Sequence, residues 1–411
     1  MFDLNSVLTR FSSRKPASYE LLVLNPSKVP RKGHISVPWQ PIHAVTKIAP
    51  NELQMKQLGK IIPFQIDNID PNDPSQQVLV FSLAGEIEPG DDNYSAVSGR
   101  VSLEQGESTS SHEHAPKLVV CSNGEGDPRG VKLINNRLNI FLNLTPELEP
   151  YLPKCYAGAI TSFQLDSKEM LDAFCSATDE PFFYMYHDPE KRLQLASIRL
   201  WSPAWENHPF QQVHLFNRSY QLLSTSTGPV RACVTIASEP FEYPYMVPFA
   251  ENKYYLECRL YRTLSVYEDS DYLLEELWVK GQLSNNKSVD LHFEPHYFSN
   301  MDIGIDPKQY RFREIPDWFA VGYPFDREEA PHPGFGFATD VHTASLNYPD
   351  PNFPNRAKDY RTFSWSLQPS KAAKCLSFFM WGHPAGFDDQ TGRYWHDFIY
   401  KPLRAKLKES Q

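Results

Sequence analysis

The sharpest constellation of reactive side chains is Leu291-His292-Phe293-Glu294-Pro295-His296-Tyr297. On a β-strand the period of two places His292, Glu294 and His296 on one face. Imidazole and carboxylate are the common acid/base pair, and two imidazoles with one carboxylate can hold a divalent metal. Tyr297 adds a phenol beside them. Pro295 offers no N–H to a ladder and can end the strand before His296. The same spacing suits a polar stripe facing solvent, so a structural reading stands beside the functional one.

A second group lies near the C-terminus, in FFMWGHPAGFDDQTGRYWHDFIY, where His383, Asp388, Asp389, Arg393, Tyr394, Trp395 and His396 crowd together. Aromatic rings beside carboxylates, Arg and His suit a carbohydrate, whose flat apolar faces stack on rings while its hydroxyls take hydrogen bonds. The run reads equally well as a strand, a turn and a capping helix that complete a core. Arg311 and Trp318 fall in a stretch from Ile305 to Phe353 that mixes aromatics with Pro, as in PDWFAVGYPFD and PHPGFGF. Such a loop region can pack and build a binding site. The cluster Tyr184-Met185-Tyr186-His187-Asp188 with Lys191-Arg192 reads as a salt-bridged turn, and His112 with His114 as an exposed pair. The stretch from Asn25 to Trp39 needs no explanation beyond packing.

Composition narrows the classes. With 40 Lys+Arg against 50 Asp+Glu the net charge is -10, which disfavours nucleic acid as a partner. Aromatics at 13% exclude disorder as the main state. The densest apolar run, Leu376 to Trp381, is far shorter than the roughly 20 residues a bilayer crossing needs, so no membrane partner is expected. The segment MFDLNSVLTRFSSRKP lacks the charge and apolar core of a secretory signal, which points to the cytoplasm unless a signal has been trimmed. Six cysteines without CxxC spacing read as buried thiols in a reducing compartment, and the Asn-x-Ser/Thr matches at Asn93, Asn143, Asn217 and Asn286 as chance. GxGxxG between strand and helix, GxxxxGK[ST], HExxH and GxSxG are absent, which removes the best-marked nucleotide, zinc-protease and serine-hydrolase classes.

The elements that must position these residues are mostly strands. An excess of 35 Pro over 19 Gly suits extended segments joined by rigid turns. YELLVL from Tyr19 and VLVFSL from Val78 are strands, and VKLINNRLNIFLNL from Val131 is a hairpin turning at Asn135-Asn136. Longer strands follow in LQLASIRL from Leu193, VHLFNRSYQLL from Val213, PVRACVTIA from Pro229, KYYLECRLYRTLSVY from Lys253, DYLLEELWVKGQL from Asp271 and VDLHFEPHYF from Val289. A helix is predicted from DSKEMLDAFCSA, capped by Asp166 or Ser167, and another near Trp395 to Tyr400. Residues Gly85 to Pro116 hold too little apolar material to pack and read as a mobile surface loop. The fold class is therefore mainly β, a large antiparallel sandwich with few short helices. The expected organisation is an extension over 1–18, a β region over 19–155 and a larger sandwich over 156–411, with the last two open to being one continuous domain.

From Gly228, GPVRACVTIASEPFEYP and then YYLECRLYRTLSVYEDSDYLLEELWVKG resemble the large β-supersandwich domains of the galactose mutarotase-like kind. These occur in aldose epimerases, polysaccharide lyases and several glycoside hydrolases, and the resemblance covers about a third of the chain. It implies a carbohydrate substrate and His, Tyr, Arg or Glu on a concave sheet face, positions that His292, Glu294, His296 and Tyr297 match. The leading expectation is a lyase that cleaves uronic-acid glycans by β-elimination, without an obligatory cofactor though with room for a divalent metal. His292, His296 and Tyr297 would do the acid/base work and Arg311 or Arg393 would hold the substrate carboxylate, with Trp318, Trp395 and His396 lining the site. A hydrolase or epimerase on the same scaffold is the alternative, with Glu294 and Asp388 or Asp389 as the carboxylate pair, and a glycan-binding protein without turnover is a third.

Overall fold

Alternation of buried and more exposed positions organises several strands of the computed structural model, such as Leu53–Gln57 and Leu138–Asn143. It describes residues 18–68, 77–90, 99–106, 115–122, 128–145, 158, 160–169, 194–201, 212–214, 219–245, 254–282, 288–289, 294–302, 318–321, 334–339, 344–345, 360–366, 376–383 and 401–408. Its contacts divide the chain into two units, one of residues 1–115, 228–230 and 401–411, the other of residues 116–227 and 231–400.

The first unit contains β1 (Tyr19–Leu24), β2 (His34–Pro38), β3 (Leu53–Gln57), β4 (Lys60–Ile61), β5 (Phe64–Asn68), β6 (Gln77–Ser82) and β7 (Gly99–Gln105). One antiparallel sheet runs Arg404–Leu407, β1, β7, β3, β4, and a smaller one runs β2, β6, β5. Leu21, Val23, Met55, Val101 and Leu103 from the first sheet meet Ile35, Val37, Leu79 and Phe81 from the second in one apolar core. Each such side chain contributes about 1.5–3 kcal/mol on full burial. The predicted mobile loop from Gly85 to Pro116 is corrected here, because GRVSLEQ forms β7 between β1 and β3 with Val101 and Leu103 fully buried. Two apolar side chains at alternate positions suffice when both neighbours are already in place.

A helix unforeseen in the sequence, α1 (Trp39–Thr46), buries Trp39, Ile42 and Thr46 along one side. It has no side-chain cap, and its Pro41 falls in the first turn, where the missing N–H is harmless. The stretch from Asn25 to His34 is structural, as expected. Asn25 is fully buried and donates to the carbonyls of Val29 and Ile87, both at 2.8 Å, while Arg31 donates to the Lys401 carbonyl at 2.7 Å.

The second unit contains β8 (Lys117–Ser122), β9 (Pro128–Ile134), β10 (Leu138–Asn143), β11 (Ile160–Leu165), β12 (Lys168–Glu169), β13 (Gln194–Trp201), β14 (Gln212–His214), β15 (Tyr220–Thr227), β16 (Arg231–Ser238), β17 (Phe241–Tyr245), β18 (Tyr254–Tyr267), β19 (Tyr272–Gln282), β20 (Ser288–Val289), β21 (Glu294–Asp302), β22 (Trp318–Val321), β23 (Gly334–Thr339), β24 (Ala344–Ser345), β25 (Tyr360–Ser366) and β26 (Leu376–His383). They form a sheet β12-β11-β10-β9-β8, a sheet β14-β13-β21-β25-β24, and a nine-stranded sheet along β15-β16-β18-β19-β26-β23-β22 with β17 on β18 and β20 on β19. The mainly β antiparallel architecture predicted from the sequence is thus present. Strands β8 and β9 lie against β15, β16 and β18.

Several local expectations change. The start of the predicted helix at Asp166 is a hairpin turn instead, with Leu165 opposite Lys168 and Asp166 and Ser167 at φ 49° and 67°, and its continuation from Met170 lies outside the described residues. Two consecutive left-handed residues make the tight turn of a twisted hairpin, a conformation that Asp tolerates and helix capping does not use. VDLHFEPHYF is two strands in two sheets: β20 pairs with Gly281 and Gln282 of β19, and β21 pairs with β13 and β25. Pro295 does not end β21. It stands opposite Leu200 before the pairing with β25 begins at His296, where its missing N–H leaves only one neighbour to satisfy. The predicted loop from Ile305 to Phe353 contains β22, β23 and β24. The hairpin at Asn135-Asn136 is present, and Asn135 makes it through its side chain, whose Oδ1 accepts from the N–H of Arg137 and Leu138. The predicted helix near Trp395 lies outside the described residues.

Candidate functional site

The nine-stranded sheet has two chemically different faces, set by alternation along β16 and β18. Ala232, Val234 and Ile236 share one face with Leu260, Leu264 and Val266, all fully buried. Arg231, Cys233 and Thr235 share the other, opposite Tyr267, Ser265 and Thr263 in register. On β19 two consecutive glutamates part company in the same way, since Glu275 pairs with Leu264 and Glu276 with Thr263.

The apolar face holds a charge pair. Arg262, 2% exposed, donates through Nε to Glu275 Oε1 at 2.5 Å, and Glu275 is 0% exposed. A second guanidinium nitrogen donates to the carbonyl of Gly158, and the group sits 5.8 Å from the Tyr220 ring centroid. Gly158 has φ +73°, and a Cβ there would collide with the Tyr220 ring. With charge neutralised, hydrogen bonds made and no access, this pair supports the fold.

The polar face is different. The Arg231 guanidinium lies 6.0 Å from the Tyr267 ring centroid, and the Tyr267 and Tyr272 rings are 5.9 Å apart. Thr235 and Thr263 share a hydrogen bond of 3.0 Å between buried hydroxyls. The Ser265 hydroxyl is fully buried and has no hydrogen-bond partner among the described residues. Burial pushes the Glu276 carboxyl above the usual carboxylate range, against the pull of the Arg231 charge. Burial likewise raises the Tyr267 phenol, while Arg231, through its charge and a hydrogen bond, works the other way. A carboxyl raised above the usual carboxylate range is better suited to act as a general acid, and a phenol raised by burial is a poor base. Its accessibility differs from member to member: Arg231 and Tyr267 are buried, and Glu276 is half-buried.

This cluster was not singled out in the sequence, although its signal is present. Arg231-x-Cys233-x-Thr235 and Thr263-x-Ser265-x-Tyr267 alternate polar residues with apolar ones over two strands that were themselves recognised. Of the predicted site residues, Glu294, His296 and Tyr297 lie on β21, with His296 opposite Arg199 and Ser366 and Tyr297 opposite Ile198 and Trp365. Trp318 begins β22 in the nine-stranded sheet, so it belongs to a different sheet from those three. His292, Arg311, Arg393, Trp395 and His396 lie outside the described residues, as do His112, His114, Asp388, Asp389 and the cluster from Tyr184 to Arg192. Among the described residues no three His, Cys, Asp or Glu side chains are placed to hold a metal ion. Cys121 and Cys233 are half-buried, less enclosed than expected. Asn143 is 1% exposed inside β10, which removes it as a glycosylation acceptor in the folded chain. No helix among the described residues is long and apolar enough to cross a membrane.

No family model and no curated protein sequence matches the chain. Among solved structures it is similar to a protein in glycosyl hydrolase family 38 from Enterococcus faecalis, at 10% identity and a TM-score of 0.49, over 96% of this chain and 48% of that one. It is similar at the same identity and TM-score to an alpha-mannosidase from Enterococcus faecalis V583, over 99% of this chain and 48% of that one. The chain thus spans about half the length of these structures.

Proposed function

We propose that the chain is a carbohydrate-active enzyme that cleaves a glycosidic bond by hydrolysis, with Glu276 as the proton donor. The observation that carries this reading is the carboxyl of Glu276, raised by burial on the polar face of the nine-stranded sheet beside Arg231. Cleavage of a glycoside needs an acid that still holds its proton when it meets the leaving oxygen. The substrate class rests on the resemblance of the strands from Gly228 onward to supersandwich domains. Elimination across a uronic-acid bond is the less favoured chemistry, because it calls for a base and the Tyr267 phenol is raised by its burial. If elimination occurs, β21 with Glu294, His296 and Tyr297, and His292 just before it, is where its acid/base groups belong.

A second reading has its own observation. Arg231 and Tyr267 are 6% and 5% exposed, which suits a glycan-binding protein in which this cluster serves the fold. A panel of neutral and acidic oligosaccharides separates the three. New reducing ends that disappear in Glu276→Gln support hydrolysis, and unsaturated uronyl absorbance supports elimination. Binding without either product supports the non-catalytic reading, and normal turnover in a folded Glu276→Gln variant removes Glu276 from the mechanism.

A further inference from the structure

Three cross-strand pairs stand side by side on the polar face between β16 and β18: Arg231 with Tyr267, Cys233 with Ser265, and Thr235 with Thr263. The outer two are engaged. The Arg231 guanidinium lies 6.0 Å from the Tyr267 ring centroid, and the two threonine hydroxyls share a hydrogen bond of 3.0 Å. The middle pair is not joined. Ser265 is 0% exposed, and its hydroxyl has no hydrogen-bond partner among the described residues, the Cys233 sulfur included. A buried hydroxyl without a partner is costly and calls for an explanation. Cys233 itself is half-buried, so its side of the pair is open to a small solute. Directly paired residues hold their Cβ atoms about 4.5–5.5 Å apart, a gap that one oxygen added to the sulfur can close. Arg231 stands two positions along β16 on the same face, and reactive thiolates are typically found partly exposed beside such a cation.

We infer that Cys233 is an oxidation site that takes a hydroperoxide, and that Ser265 holds the resulting sulfenic acid by a hydrogen bond. The Cys233 thiol gives up its proton, and the thiolate attacks one oxygen of hydrogen peroxide. The S–O bond forms as the O–O bond breaks, and the second oxygen leaves as hydroxide, which takes the thiol's proton and becomes water. The sulfur is oxidised by the loss of an electron pair, and the peroxide is reduced by the same pair. The new oxygen accepts from the Ser265 hydroxyl, which thereby gains the partner it lacks beside the thiol. Cys121 provides the internal comparison. It is also half-buried, but the residue opposite it on β9 is Gly130, which has no side chain to hold an added oxygen. The inference stands apart from the reading of Glu276 as an acid.

The test treats the full chain with hydrogen peroxide, removes the peroxide with catalase, and adds dimedone after increasing delays. Peptide mass spectrometry then reads the sulfenic acid on each cysteine separately. At the shortest delay Cys233 should carry about threefold more adduct than Cys121, or better. Ser265→Ala should shorten the lifetime of the Cys233 sulfenic acid about threefold to tenfold, the worth of one hydrogen bond, and leave that of Cys121 unchanged. This variant removes a buried hydroxyl that has no partner and adds no volume, so its thermal midpoint should equal or exceed the parent's. The comparison of the two cysteines within the parent needs no variant at all. Labelling of Cys233 no greater than that of Cys121, or an unchanged lifetime in the folded Ser265→Ala chain, overturns the assignment. Recovery of Cys233 in a disulfide in place of the adduct overturns it too, because the oxidised sulfur is then not held by Ser265.

Discussion

Removing one partner of the Arg262–Glu275 pair should cost far more than removing both. Glu275→Leu leaves a guanidinium 2% exposed, with the Gly158 carbonyl and the Tyr220 ring among its remaining contacts. Arg262→Met leaves a carboxylate at 0% exposure and also deprives the Gly158 carbonyl of its donor. A buried pair broken on one side costs about 3–5 kcal/mol. Replacing both with apolar residues is often neutral or stabilising, and here the orphaned Gly158 carbonyl, at about 1–3 kcal/mol, is the main residual cost. The double variant should therefore lie within about 3 kcal/mol of the parent and above either single one. Urea unfolding followed by tryptophan fluorescence suits the question, because seven of the eight tryptophans, all but Trp39, belong to the second unit. With a slope of about 3 kcal/mol/M the single variants should lose about 1–2 M in midpoint. Single losses below about 1 kcal/mol, or a double variant as unstable as the sum of the two, would refute the view that this pair is desolvated and mutually dependent.

Gly158→Ala should destabilise by at least about 1–2 kcal/mol, because φ +73° is unfavourable for any Cβ and the new atom would meet Tyr220 and the Arg262 guanidinium; a thermal midpoint equal to the parent's would contradict this. Glu276→Gln should alter stability only on the alkaline side. A carboxyl raised in the fold binds more protons folded than unfolded, so the parent loses stability as pH rises from 4.5 through the folded value, and the Gln variant lacks that loss. The two should match below pH 4.5 and diverge above it in melts at a series of pH values. At the hairpin tips, Asn135→Ala should cost about 1–3 kcal/mol, since its amide donates to the Tyr267 and Ser270 carbonyls while its oxygen accepts two backbone N–H groups. Arg137→Ala should cost less than about 1 kcal/mol and lose even that at high salt, because its pairs with Asp166 and Asp271 are substantially exposed.

Strands with strong β-branched and aromatic content were legible in the sequence to within a residue or two. Tyr19–Leu24, Tyr254–Tyr267 and Tyr272–Gln282 fall where periodicity puts them. What escaped was decided by neighbours rather than by local content. GRVSLEQ has two core residues and enters a sheet because β1 and β3 flank it. WFAV and GFGFAT read as loop because Pro and Gly surround them, yet they extend the sheet beyond β26. The Asp166-Ser167 pair carries a capping signature, and only the partner strand opposite decides that it is a turn. Which sheet a strand joins is a long-range fact, so the break between β20 and β21 was beyond any local pattern.

The candidate site was legible for a different reason and overlooked for an instructive one. Dense polar runs such as HFEPH draw the eye because their residues are adjacent in the chain. In a sheet, adjacency in the chain separates side chains onto opposite faces, and chemistry is assembled by register across strands. Arg231, Tyr267 and Glu276 are dispersed over some 45 positions, and no local run gathers them. The adjacent pair Glu275-Glu276 makes the point most sharply. One glutamate falls among Leu264 and Leu273, in an ion pair with Arg262, and the other falls opposite the Thr263 hydroxyl, where burial raises its carboxyl above the usual carboxylate range. Identical residues, one peptide bond apart, are therefore sent by the pleat to opposite faces and different surroundings. A reading that pairs alternate polar positions between predicted strands, instead of scanning for local runs, would have placed Glu276 in the site and Glu275 in the scaffold.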